Sequence, residues 1–233
     1  MKKTIGILGG MGPMATADIF TKIVAHTKAN ADAEHIRIYI DNDPLIPDRT
    51  AAILTGGNDP VPEMTTALRN LERCGADCIL LPCNTAHYFL PRLQAMTEIP
   101  FLSMPQATAR ACAKAFPGKT AGLMATKGTL STGLYEKAME AAGVKYAVPN
   151  EGGRDALMRV IYEGVKADAD PESYRSDMAF AMENLKAQGA DYFVLACTEL
   201  PLAFSLLDLQ APFIDPTLEL ALEAIRFCGY ETK

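Results

Sequence analysis

The sequence predicts an α/β protein of two similar lobes, each a mostly parallel sheet flanked by helices, related by an internal repeat. Three observations carry this. Apolar strand-like runs alternate with amphipathic helical stretches, the order expected of parallel strands joined by helical crossovers. Two short stretches copy each other, "LLPCNTAH" from Leu80 to His87 and "VLACTELP" from Val194 to Pro201. The surrounding halves also match. Lys3-Thr4 aligns with Lys119-Thr120 at an offset of 116, which sets Gly6 on Gly122 and Gly12 on Gly128. "LRNLERCGADCILLPC" aligns with "MENLKAQGADYFVLAC" at an offset of 114, pairing Gly75 with Gly189 and Cys83 with Cys197.

Each element follows in order. "KKTIGILGGMGPMATADIFTKI" reads as a buried strand, a Gly-rich turn and a helix. "HIRIYIDND" alternates as a strand does, then breaks into a Pro-rich loop, "DPLIPDRT". "EMTTALRNLERCGAD" is an amphipathic helix closed by Gly75, and "CILLPC" is a second buried strand. A further helix is expected from Asn84 to about Met96, and "IPFLSM" as another strand. The second lobe restarts at "GKTAGLMATKGT", and its "APFIDP" answers "IPFLSMP". The last stretch, "DPTLELALEAIRFCGY", reads as a helix without a strand of its own, expected to cross back and cover the first lobe. The expected division is therefore 1–104 completed by 215–233, and 105–214, with the active site in the cleft between the lobes.

Bulk properties narrow the function. Of 233 residues, 49% are hydrophobic and 21% charged, with a formal net charge of −6. Mild acidity disfavours nucleic acid as a partner, which calls for a basic face. No apolar run reaches membrane-spanning length. The two lysines near the N-terminus resemble the start of a signal peptide, but "GGMGP" interrupts the apolar part at once. A cytoplasmic protein is expected. Its cysteines, Cys74, Cys78, Cys83, Cys112, Cys197 and Cys228, do not form the framework of a small secreted domain. Cys74, Cys78, Cys83 and His87 only loosely approach a zinc spacing, and the "GAD" turn sends the first two into different elements. No metal is expected.

In an open parallel sheet, ligands bind beyond the carboxyl ends of the strands. Cys83 and Cys197 both fall at such ends, followed by residues suited to capping a helix, Asn84-Thr85 and Thr198-Glu199. The positive end of a helix dipole there favours thiolate. A single cysteine at a buried strand end reads as a small core residue. Two at equivalent repeat positions point instead to a reaction needing a base on one face of a carbon and an acid on the other.

"GGMGPMAT", "PCNTAH" and "ACTELP", in this order, resemble the cofactor-independent aspartate/glutamate racemase family over essentially the whole chain. Glutamate racemases proper open with an Asp-Ser-Gly turn and carry Cys-Thr-His. This chain has "GGMGP" and Cys197-Thr198-Glu199, closer to the aspartate-racemase branch. The resemblance implies racemisation of a small dicarboxylic amino acid with no pyridoxal phosphate or other cofactor. One cysteine removes the α-hydrogen and the other reprotonates the opposite face. By analogy Cys197 faces the α-hydrogen of the L-enantiomer and Cys83 that of the D-enantiomer. Arg49 and Lys166 match basic positions of the family, and otherwise read as solvated surface charges. A homodimer is the expected assembly.

Other groups complete the expected site. Backbone N–H groups near Asn84, Thr85, Thr198 and Glu199 can meet the α-carboxylate. Met11, at the tip of the Gly-rich turn, can shield the thiols from water, and Thr126 is the repeat counterpart of Gly10. Asp48 serves to orient Arg49. Glu199 either orients the substrate ammonium or is a plain helix-start acid. His87 reads as structural, since a thiol already fills each base position. The rival readings are a maleate isomerase or hydantoin racemase on the same scaffold, and a two-lobe protein that binds a small acid without chemistry.

Overall fold

Contacts divide the chain into two units, one running up to Met104 and joined by Thr217–Lys233, the other Pro105–Pro216. The structure, a computed structural model, describes residues 2–233. Met1, where the first lobe was expected to begin, lies outside the described residues.

The first unit is built on β1 (Ile5–Gly9), whose five residues are all buried, as a strand covered on both faces must be. Pro13 opens α1 (Pro13–His26) in its first turn, where a missing N–H costs nothing. β2 (Ile38–Asn42) follows, parallel to β1, with Ile5 opposite Ile38. "DPLIPDRT" does not stay a loop to its end. α2 (Arg49–Leu54) begins there because the Asp48 carboxylate accepts the Ala51 N–H at 2.7 Å. α3 (Val61–Cys74) buries Met64, Leu68 and Leu71 on one face and ends at Gly75, left-handed at φ +82°. β3 (Cys78–Leu80) then completes a sheet of order β2-β1-β3.

Two expectations change here. The helix expected from Asn84 to about Met96 is a 3₁₀ stretch, Thr85–Phe89, continued by a short α4 (Leu90–Gln94). Pro91 accounts for the restart, since its ring tolerates only a first helical turn. "IPFLSM" shrinks to one parallel bridge, Ile79 opposite Phe101, with Ile79 N–H on the Pro100 carbonyl at 2.9 Å. Pro100 has no N–H to extend the ladder, and α5 (Met104–Ala115) starts three residues past the bridge.

The second unit repeats the plan around β4 (Thr120–Ala125). α6 (Lys127–Ser131), α7 (Leu134–Ala141) and β5 (Lys145–Ala147) follow, then α8 (Glu151–Met158), which widens into a π-helical stretch, Arg159–Val165. After α9 (Pro171–Lys186) come β6 (Tyr192–Ala196), α10 (Glu199–Leu206) and β7 (Phe213–Ile214). The strand order is β5-β4-β6-β7, every pair parallel.

The repeat holds at atomic detail. Thr4 N–H meets the Asp77 carboxylate at 2.7 Å, and Asp77 N–H returns to the Thr4 carbonyl at 2.9 Å. Thr120 and Asp191 make the same two bonds at 2.8 and 2.9 Å. Phe193 N–H on the Pro212 carbonyl, at 3.0 Å, mirrors Ile79 on Pro100. Both units thus place a cysteine between the carboxyl end of a buried strand and the helical turn that follows it, Cys83 after β3 and Cys197 after β6.

The last helix, α11 (Pro216–Phe227), packs Leu220, Ala221, Ala224 and Ile225 with Ile5, Ile7, Ile19 and Ile23 of the first unit. Truncating a fully buried member such as Ile225 to Ala costs about 2–5 kcal/mol, transfer and cavity together. Among the described residues, no helix is long and apolar enough to cross a membrane.

Candidate active site

In the first unit the turn after β1 is pinned by Gly10. Its φ is +96°, and a Cβ there would lie 2.1 Å from the Asp43 carbonyl oxygen, so no side chain fits. Its N–H donates to Thr16 Oγ1 at 2.9 Å. The turn buries Met11, which shares an apolar cluster with Cys83 and Ile46. Cys83 follows β3 by three residues and is 8% exposed, its N–H folded back onto the Leu81 carbonyl at 2.8 Å. Asn84 and Thr85 are buried behind it.

His87 ties this motif down. Its Nε2 accepts the Met104 N–H at 3.1 Å, which leaves the proton on Nδ1, and Nδ1 donates to the Cys83 carbonyl at 2.9 Å. Burial pushes its pKa down to about 4, so the ring is neutral near pH 7. A neutral ring with both nitrogens committed to backbone holds the loop and is not placed to move a proton.

Arg49 is not the surface charge that its type alone suggests. It is 8% exposed at the start of α2. Nη1 donates to the Ile46 and Pro47 carbonyls at 3.1 and 2.9 Å, and Nη2 to the Met11 carbonyl at 3.1 Å. Its Nε is buried without a hydrogen-bond partner. Three carbonyls orient the guanidinium but do not neutralise it, and Nε lies on the edge a carboxylate meets with two parallel bonds. Asp48, expected to orient Arg49, caps α2.

In the second unit β4 and β6 end together, Ala125 opposite Ala196, so Thr126 and Cys197 leave the sheet as neighbours. Thr126 caps α6, its hydroxyl accepting the Thr129 N–H at 3.1 Å. Cys197 is 7% exposed and donates its thiol hydrogen to Glu199 Oε2 at 2.9 Å. Thr198 Oγ1 donates to the same oxygen at 3.1 Å. Lys166 Nζ stands 3.7 Å from the other oxygen, Oε1, and over the Tyr162 ring at 4.5 Å. The widened turn delivers Lys166 to this point, its N–H reaching back to the Ile161 carbonyl at 3.0 Å.

The capping expectation fails at both motifs. Neither Asn84 nor Thr198 makes a side-chain cap bond, because each already has helical backbone angles, whereas a cap residue needs an extended one. Sequence reasoning also missed Tyr162, although its spacing of four from Lys166 is the signal that puts a ring and a cation on one helix face. The loose zinc spacing disperses: Cys74 is exposed, Cys78 faces Cys228 at 3.9 Å, and His87 bonds backbone. Among the described residues, no group of three His, Cys, Asp or Glu side chains is placed to hold a metal ion.

Residues 8–224 match the family described as Asp/Glu/Hydantoin racemase. The chain belongs to this racemase family. Over 95% of its length it is 26% identical to the broad specificity amino-acid racemase RacX of Bacillus subtilis, covering 96% of that protein. The solved aspartate racemase of Picrophilus torridus is 31% identical, with a TM-score of 0.85, over 99% of this chain and 96% of that one. An aspartate racemase homologue from Pyrococcus horikoshii has the same fold, with a TM-score of 0.74 at 24% identity over 97% of this chain and 99% of that one. Racemase structures of this family therefore share the two parallel sheets and flanking helices described above.

Proposed function

We propose that this racemase interconverts L- and D-aspartate, with glutamate as the next candidate, using Cys83 and Cys197 as its two proton-transfer groups. One thiolate removes the α-hydrogen; the other thiol supplies a hydrogen to the opposite face. The observation that carries this is the equivalence of the two cysteines. Each follows a buried strand at matching positions of a repeat that holds down to single hydrogen bonds.

The resemblance to an aspartate racemase and to a broad-specificity one leaves the substrate to the site, and Arg49 supports the dicarboxylate. A buried guanidinium with an unpartnered Nε favours a second carboxylate, which a desolvated site accepts only against a cation. Lys166, Asn84, Thr85, Thr126 and Thr198 are proposed to hold the rest of the amino acid, with Met11 excluding water on the Cys83 side. The same proposal includes a homodimer, read by light scattering of the purified chain.

Proton NMR of L-aspartate and L-glutamate in deuterated water tests the reading. Loss of the α-proton signal, without added pyridoxal phosphate and after dialysis against a chelator, is the expected result, fastest for aspartate. Retention of both α-protons, with turnover of maleate or a hydantoin instead, would move the chain to one of the rival chemistries.

A further inference from the structure

We propose that Glu199 is a positioning residue that keeps Cys197 protonated in the resting protein, so that Cys197 starts as the acid and Cys83 as the base. This rests on the reading that these two thiols move the α-hydrogen, but its test needs no substrate.

The geometry supplies the sign. The Cys197 thiol points its hydrogen at a carboxylate oxygen 2.9 Å away, and that carboxylate side chain is only 13% exposed. Hydrogen bonding to the neutral form and a nearby like charge both disfavour loss of the proton. Thr198 Oγ1 donates to the same oxygen, and Lys166 Nζ stands 3.7 Å from the other, so the carboxylate is held in place against the thiol. The start of α10 favours the thiolate through its dipole, but the Glu199 carboxylate stands at that same helix start and receives the thiol hydrogen directly. Tyr162 lies beneath Lys166, and β6 brings no charged residue. The Tyr135 phenol of α7 interacts electrostatically with Cys197 and Asp215, but burial pushes its pKa well above the usual tyrosine range, so it stays neutral.

The first motif has no such group. At the offset of 114 the counterpart of Glu199 is Thr85, and "PCNTAH" contains no acid. Its one titratable ring, His87, is neutral and committed to backbone.

The proton balance closes. The Cys83 thiolate takes the α-hydrogen and becomes a thiol, while Cys197 gives its hydrogen to the opposite face and becomes a thiolate beside Glu199. Cys197 then takes a proton from water and Cys83 releases one, restoring the resting form. Because the two enantiomers have equal energy, kcat/KM is equal in both directions whatever the resting form. Thiol reactivity is therefore the quantity to read.

Alkylation of the full-length protein by iodoacetamide at pH 7, followed by peptide mass spectrometry, reads each cysteine separately. Glu199→Gln keeps the shape and an acceptor but removes the charge. It should raise the Cys197 rate about tenfold, as expected for about one pKa unit, and leave Cys83 unchanged. Lys166→Met removes the opposing charge and should slow Cys197. Opposite signs from two variants that both break one ion pair exclude simple loosening. A Cys197 rate unchanged or slowed by Glu199→Gln, or raised by both variants, overturns the assignment. A protein that passes here and shows no α-exchange keeps the Glu199 assignment and loses the racemase reading.

Discussion

The residue two places after the cysteine is Thr85 in the first unit and Glu199 in the second; four places after, the pair is His87 and Pro201. The first motif is anchored by a neutral imidazole on backbone, the second by a helix that opens directly on its acid. A cation also serves each motif differently. Arg49 is buried on three carbonyls with its Nε unpartnered, whereas Lys166 is half-exposed and pairs with the carboxylate that holds the thiol. Duplication thus preserves the place of the thiol and lets its surroundings diverge. The proposed chemistry, with one thiol as base and its twin as acid, accommodates that divergence, because the two groups act in opposite protonation states.

The strongest way to break the comparison is to remove either thiol. Cys83→Ser and Cys197→Ser should each lower racemisation at least ~1,000-fold, since a serine hydroxyl is a far weaker acid and base in the same place. Both should keep the thermal transition within a few degrees of the parent. Racemisation by either at the parent rate contradicts a two-thiol mechanism.

The Arg49 difference is next in size. Arg49→Leu should cost aspartate about 3–5 kcal/mol of transition-state stabilisation, the range for removing one partner of a buried charge pair. It should also destabilise the loop, because the carbonyls of Met11, Ile46 and Pro47 lose their donors. The ratio of aspartate to alanine efficiency cancels the folding effect. A ratio that stays constant would place the side-chain clamp elsewhere.

His87 sharpens the comparison through pH. Its folded pKa of about 4 lies below the ordinary 6.5, so the unfolded chain binds the proton first as pH falls. The stability contributed by the neutral ring is complete above about 6.5 and is lost as pH falls towards 4, by up to about 3 kcal/mol. Urea midpoints at pH 7.5 and 5 should diverge in the parent and converge in His87→Gln. Equal pH sensitivity in both proteins contradicts the buried neutral ring.

The smallest effect tests the repeat itself. Asp77→Asn and Asp191→Asn weaken equivalent bonds to Thr4 and Thr120, and should lower the urea midpoint slightly and by similar amounts. Markedly unequal shifts would show that matching geometry does not carry matching energetics.

Much of this was legible in the chain. Gly75 and Gly189 mark two helix ends at one offset, and both adopt the left-handed conformation that ends a helix. Runs such as "ILL" and "FVL" announce strands buried on both faces. Short elements escape because they have no period. α2 spans six residues, and its only signal is Asp48. The burial of Arg49 was hidden because its partners are backbone carbonyls, brought near by turns and not by residue type. The bond from Cys197 to Glu199 was hidden for another reason: a spacing of two is normally no contact in a helix, and arises here because the thiol sits just outside it.

The measurement closest to the central claim follows deuterium wash-in at the α-carbon of L- and D-aspartate separately, in each cysteine variant. Under the proposal that Cys197 faces the α-hydrogen of the L-form, Cys83→Ser should exchange L-aspartate only and Cys197→Ser D-aspartate only, neither variant yielding the opposite enantiomer. Exchange of the same enantiomer by both variants, or of both enantiomers by either, would contradict a base on each face.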